Sequence, residues 1–145
     1  MKKISVLITI AVLAVSIWAA SPAEAVIVNW RSPMVGIVEG VQTARLNVVN
    51  VAPADIRTPP NPCMVELMFF DGEGNMLSEA GIIINDGKAA FHDLRFPADV
   101  EGRFQIRAEV RVTGEKKSCD VISTLEIFDN ETMKTEIFIG ITPGI

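Results

Sequence analysis

The sequence predicts an all-β fold, a two-sheet antiparallel sandwich of about seven strands. Three observations carry the prediction. First, residues 103–113 (RFQIRAEVRVT) alternate without a break. Phe104, Ile106, Ala108, Val110 and Val112 fall on one side; Arg103, Gln105, Arg107, Glu109, Arg111 and Thr113 fall on the other. Period two marks a strand with one dry and one wet face, whereas a helix would scatter the same apolar residues round its surface. Second, such segments recur about every ten residues between clusters of Gly, Pro, Asn and Asp, the spacing of a sandwich. Third, no stretch beyond residue 25 repeats apolar side chains at the helical period.

The chain opens MKKISVLITIAVLAVSIWAASPAEA. Lys2 and Lys3 make a basic start, and residues 4–20 form an uncharged apolar run. Ser21-Pro22 breaks it, and Ala23-Glu24-Ala25 supplies the small residues of a cleavage site. The pattern predicts a secretory signal peptide, residues 1–25, removed after Ala25. A transmembrane anchor is the competing interpretation. The run of about 17 residues sits at the short end of the spanning range, and the small-residue site favours cleavage. No Cys follows the run, which argues against a bacterial lipid anchor. The expected address is exported, periplasmic or extracellular.

Residues 26–145 are then the mature chain, about 120 residues and enough for one domain with its own core. No second apolar run is long enough to span a bilayer, so no membrane association is expected after cleavage. Thirteen basic and eighteen acidic residues give a net charge of −5. Lys2, Lys3 and Glu24 leave with the first segment, making −6. Dispersed cations in an acidic domain repel phosphate backbones, so nucleic acid is excluded as an expected partner.

Taken in order, residues 26–33 (VIVNWRSP) are an apolar start containing Trp30, and residues 35–38 are a second short apolar piece. Both read as short strands or edge segments. Residues 42–51 (QTARLNVVNV) form the first major strand, with Ala44, Leu46 and Val48 against Arg45, Asn47 and Val49. Residues 52–62 (APADIRTPPNP) carry four prolines, which supply no ladder donor. They read as a loop, extended near Pro59-Pro60, that crosses from one sheet to the other. Residues 63–70 (CMVELMFF) put Val65, Leu67 and Phe69 on one face. The opposite face, Met64, Glu66, Met68 and Phe70, is apolar enough to suggest a covering segment. A turn at 71–75 (DGEGN) leads to a strand at 76–85. Asn85-Asp86-Gly87 then has hairpin chemistry, tolerating positive φ. Residues 88–96 (KAAFHDLRF) read as a strand with Phe91 toward the core. After the organising strand come a charged loop at 114–118, a strand at 119–129 interrupted on its apolar side by Ser123, a turn at 129–132, and a last strand at 133–141. An immunoglobulin or fibronectin type III arrangement fits this count first and a small barrel second; the Cys-Trp-Cys spacing of antibody domains is absent.

Cys63 and Cys119 are the only cysteines. An even pair in an exported chain predicts one disulfide, with two buried free thiols as the alternative. Each cysteine begins an apolar strand after a loop, so the bridge would tie two strand starts. Chain entropy assigns such a loop roughly 4 kcal/mol.

Several pieces carry a wider likeness: VGIVEGVQTARLNVVN, the run from Cys63 through FFDGEGNML, GKAAFHDL, and the Cys119 strand ending TLEIFDNET. In these the chain resembles a set of small exported bacterial sandwich proteins, immunoglobulin- or fibronectin III-like, over nearly all of its mature length. The resemblance implies export and a β-sandwich, and brings no activity and no site residues.

The chemistry-bearing residues are few. His92 is the only histidine, and strand alternation puts it on the face opposite Asp93, so the two cannot act as an oriented pair. The serines lack a nucleophile-elbow context. Asp71, Glu73 and Asn75 place oxygens at alternate positions, as a calcium loop begins, with Asp129, Asn130 and Glu131 as extra oxygens. Met76 stands where such a loop needs Gly, and Ile82 where it needs a bidentate Glu. A plain turn is the simpler account of Asp71, Glu73 and Asn75, and no other metal or cofactor is implied. Asn130-Glu131-Thr132 fits a glycosylation sequon, incidental in a bacterial context. No tyrosine is present, and most phenylalanines are expected in the core, which ranks sugar binding below protein binding.

The expected function is non-enzymatic: a structural or protein-binding role in the cell envelope or outside, with another envelope or extracellular protein as partner. Residues 26–38 and 133–141 are apolar terminal strands able to take a strand from another chain, unless they pair with each other or cover the sheet. The alternative is a small-ligand, calcium or carbohydrate module using loops at one sandwich end. A hydrolase with scattered carboxylates is the third.

Overall fold

A computed structural model of the chain describes residues 26–52, 63–96, 102–114 and 119–141. The segment at 1–25 expected to be a signal peptide and the proline pair at 59–60 lie outside them. The described residues form nine strands and no helix: β1 (Val26–Arg31), β2 (Val35–Val38), β3 (Gln42–Asn50), β4 (Cys63–Asp71), β5 (Met76–Ile84), β6 (Ala89–Arg95), β7 (Arg103–Gly114), β8 (Val121–Asp129) and β9 (Thr135–Ile141). One sheet runs β1-β7-β4-β5 with β2 also on β7; the other runs β6-β3-β8-β9. Every neighbouring pair is antiparallel. The two-sheet sandwich is as the alternation predicts.

The strand count is nine rather than seven because the two short N-terminal pieces are both strands. They lie end to end along β7, which at 12 residues is long enough to hold both. Pro33 has no N–H for the ladder. Ser32 carries the ladder across the break. Its N–H donates to the Ala108 carbonyl at 2.9 Å, and its Oγ accepts the Ala108 N–H at 2.9 Å. The terminal strands do not pair with each other: β1 and β2 edge the five-stranded sheet, and β9 edges the four-stranded one.

The chain changes sheet between β3 and β4, as the proline-rich loop predicts. It also changes sheet at residues 85–87, where a hairpin was expected. Gly87 takes its positive φ of 68° and Lys88 N–H closes the turn on the Asn85 carbonyl. The turn chemistry is local, but β5 and β6 belong to opposite sheets, so no hairpin forms there.

Alternation fills the space between the sheets. Leu46, Leu67, Phe69, Ile106, Val110 and Leu125 are fully buried, each stabilising by about 1.5–3 kcal/mol. Ser123 sits among them, and its Oγ has no hydrogen-bond partner among the described residues. Cys63 starts β4 in one sheet; Cys119 precedes β8 in the other. They form a disulfide with a Cα–Cα distance of 5.4 Å, so the bridge staples sheet to sheet. Beside it Asn50 is fully buried. Its Oδ1 accepts the N–H groups of Ala52 and Asp120, and its Nδ2 donates to Asp86. One side chain thus holds three chain segments at the disulfide end.

No helix among the described residues is long and apolar enough to cross a membrane, and the disulfide fits an oxidising compartment.

Candidate functional site: the outer face of the four-stranded sheet

Because Ala44, Leu46 and Val48 of β3 point inward, Arg45, Asn47 and Val49 point outward. Leu94 is the buried residue of β6, which fixes that strand's phase and turns Ala89, Phe91 and Asp93 out. Phe91 is 56% exposed, which corrects the expectation that it faces the core. On β8 the outward residues include Ile122, Thr124 and Glu126. On β9, Phe138 lies opposite Glu126 and Gly140 opposite Thr124.

Register arranges these side chains in rows across the strands. Ala89, Val49 and Ile122 form one; Phe91, Asn47, Thr124 and Gly140 the next; Asp93, Arg45, Glu126 and Phe138 the third. The first two rows enclose a shallow depression of about 210 Å³ with apolar walls. Asn47 Nδ2 and Thr124 Oγ1 lie on its floor, 3.4 Å apart. Ile122 is 52% exposed at its rim.

The third row fixes one wall. Arg45 makes a two-pronged bond to Asp93, with Nε to Oδ1 at 2.7 Å and the second nitrogen to Oδ2 at 2.9 Å. Its guanidinium lies 4.2 Å from the Phe91 ring centre and 5.1 Å from that of Phe128. The bond to Asp93 raises the Arg45 pKa above its ordinary value. Phe91 is thus held in place by a cation on one face of its ring. Phe138, 66% exposed, stands at the far side of the same sheet face. Two of the seven phenylalanines are therefore on the surface, although the composition argument against sugar binding assigned most of them to the core.

The other predicted sites fall elsewhere. His92 and Asp93 do point to opposite faces, as alternation requires. His92 turns in at the sandwich edge, shares a 2.8 Å hydrogen bond with Ser78 Oγ of β5, and lies 5.8 Å from the Phe69 ring. Sequence alone missed this Ser–His contact, because it joins edge strands of opposite sheets and leaves no local pattern. As it stands the contact ties those edges together.

Asp71, Glu73 and Asn75 form the β4–β5 hairpin turn. Asp71 Oδ1 accepts the N–H groups of Glu73 and Asn75, and Oδ2 accepts the Asn75 side-chain amide. The Asn75 amide first, then these backbone donors, hold the Asp71 carboxyl below its usual range. Asp71 thus spends its oxygens on its own turn, the geometry of an Asx turn. Asp129 does the same in the β8–β9 turn, accepting from Thr132 N–H and Oγ1 and from Glu131 N–H. Among the described residues no three His, Cys, Asp or Glu side chains gather as a metal site.

The outer face of the five-stranded sheet is laced with ion pairs. Glu109, 8% exposed, receives Arg31 at 3.0 Å and Arg107 at 2.9 Å, and Arg111 meets Glu66 at 2.8 Å. Arg31 and Glu109 are directly opposed on β1 and β7, as are Glu66 and Arg111 on β4 and β7, so both ion pairs run across neighbouring strands.

Compared with protein-family models, curated proteins and solved structures, the chain shows no match in any of the three.

Proposed function

We propose that this chain is a non-enzymatic, exported sandwich protein that binds another polypeptide of the cell envelope or exterior through the outer face of its four-stranded sheet. The observation that carries the reading is the apolar depression walled by Val49, Ala89, Phe91 and Ile122. An antiparallel sheet with one solvated face ordinarily keeps that face polar. Here the centre of the face is aliphatic and aromatic, with one amide and one hydroxyl on its floor. That combination suits a partner segment offering an apolar side chain and a main-chain donor or acceptor. The signal-peptide pattern, the disulfide and the resemblance to small exported bacterial proteins support export.

Two measurements test it. The mass of the protein recovered outside the cytoplasm should correspond to a chain beginning at Val26; an uncleaved chain contradicts the export half. Envelope proteins retained by immobilised wild type should be lost with Ile122→Glu or Val49→Glu at unchanged melting temperature. Retention that ignores both substitutions contradicts the binding half.

A second reading is favoured by the two exposed phenylalanines. A glycan lying across Asn47 and Thr124 would find Phe91 and Phe138 on the same face as stacking surfaces. Calorimetric titration with a panel of oligosaccharides separates the readings. Heat that disappears with Phe91→Ala and Phe138→Ala selects the glycan.

A further inference from the structure

Inward positions on the strands of a sandwich are ordinarily apolar. Two of them, on the flank where β5 and β6 approach each other, are not. Ser78 stands opposite Phe69 and His92 opposite Leu46, and both partners are fully buried. Residues directly opposed on neighbouring strands share a face, so Ser78 and His92 point between the sheets, one from each. β5 and β6 each end a sheet, and no described strand bonds to their outer sides. Both side chains are half-buried there. Ser78 Oγ lies 2.8 Å from His92 Nε2, and the imidazole sits 5.8 Å from the Phe69 ring, tilted 40° to it. The register of β5 on β4 skips Leu77, a bulge immediately beside Ser78. Bulges at sheet edges re-aim side chains and recur beside active sites. The next inward residues toward the turn are Ala80 and Ala90, both half-buried.

We propose that Ser78 is a nucleophile with His92 as its base, and that it accepts an acyl group from an activated carboxylic ester. A hydroxyl is a weak nucleophile until a base within hydrogen-bond reach takes its proton, and 2.8 Å is within that reach. With the ring proton on Nδ1, the Ser78 O–H donates to Nε2. Oγ attacks the ester carbonyl carbon as Nε2 takes the hydroxyl proton. The carbonyl electron pair moves onto its oxygen and returns as the bond to the leaving group breaks. The leaving oxygen takes the proton from Nε2. The products are an ester of Ser78 and a free alcohol or phenol, with no change of oxidation state. An edge strand turns alternate N–H groups away from its partner, so a donor at or beside Ser78 is free to meet the oxyanion. Phe69 keeps water from one side of the base, and Ala80 and Ala90 place only methyl groups where a short acyl chain would lie. The modification is confined to this flank and stands whether or not the outer face binds a polypeptide.

The test treats the exported protein with p-nitrophenyl acetate, then maps acetyl groups by mass spectrometry after an acid quench. Wild type should acquire an acetyl group on Ser78 ahead of every other serine and threonine. Ser78→Ala should lose that modification. His92→Gln keeps a side chain able to hydrogen-bond Ser78 but removes the base. It should therefore retain the wild-type circular dichroism spectrum and acetylate Ser78 about a hundred-fold more slowly or worse. Acetylation of wild-type Ser78 no faster than at the other hydroxyls overturns the proposal, and that measurement needs no variant. An unchanged rate at Ser78 in folded His92→Gln overturns it as well, since the histidine would then only tie the two edges together.

Discussion

Replacing both cysteines (Cys63→Ala with Cys119→Ala) removes the disulfide that staples one sheet to the other. The sequence separation is 56 residues. The chain-entropy relation for a loop of that length gives about 4 kcal/mol at 25 °C. A domain of this size has a total stability of about 5–15 kcal/mol, so the variant keeps little in reserve. Its melting temperature should fall by about 15 °C. Urea unfolding followed by circular dichroism should be run on three samples: oxidised wild type, reduced wild type and the double variant. The latter two should lose similar stability. Their dependence on urea should steepen, because an unlinked chain exposes more surface when it unfolds. A loss below about 1 kcal/mol with an unchanged slope would refute the reasoning, since a sheet-to-sheet staple that leaves the unfolded ensemble unaltered constrains nothing.

Three further outcomes are expected. Asn50→Leu should cost about 2–4 kcal/mol in urea unfolding, because the N–H groups of Ala52 and Asp120 lose their acceptor at a buried position; a near-neutral result would mean that the amide is not the hub. Met133 holds a φ of 56°, which a side chain disfavours, so Met133→Gly should stabilise by about 0.5–1 kcal/mol; a loss in thermal melts would contradict this. Asp71 and Asp129 have folded pKa values below the ordinary one, set chiefly by the Asn75 amide and by the Thr132 N–H. A depressed carboxyl contributes stability above its unfolded pKa of about 4 and loses it as pH falls through the folded value. The melting temperature should therefore drop on acidification below about pH 4, and Asp71→Asn with Asp129→Asn should flatten the drop; parallel wild-type and variant curves would count against the two turns.

What the sequence disclosed follows from what is local. The alternation in residues 103–113, the burial of Val65, Leu67 and Phe69, and the turns at Asp71 and Asp129 depend on near neighbours, and all appear as expected. Phe91 was misplaced because KAAFHDLRF offers two phases. One holds a phenylalanine beside an aspartate, the other a leucine beside a histidine. The choice is made by Arg45 on the neighbouring strand, which binds Asp93 and lies over the Phe91 ring. The turn at 85–87 looked like a hairpin because its residues satisfy the backbone and say nothing about which sheet comes next. The depression on the four-stranded sheet was illegible for the same reason. Val49, Phe91 and Ile122 come from three strands, and only the register makes them neighbours.

The two outer faces provide a comparison within one molecule. Both close the same core and both meet solvent. On the five-stranded sheet the middle of the face is occupied by Arg31, Glu109, Arg107, Arg111 and Glu66, and the exposed apolar side chains Met64 and Ile83 form one cross-strand pair beside the edge. On the four-stranded sheet the ion pair of Arg45 and Asp93 is pushed to one side, and the apolar residues surround a hollow spanning three strands. Core stability does not distinguish the faces, because outward side chains contribute little to it. Solubility would favour charge on both. A face that departs from that preference at its centre, while its opposite number keeps to it, is the one on which a partner would remove the most apolar surface from water. That inequality is why binding is assigned to this sheet, and Ile122→Glu makes the two faces alike.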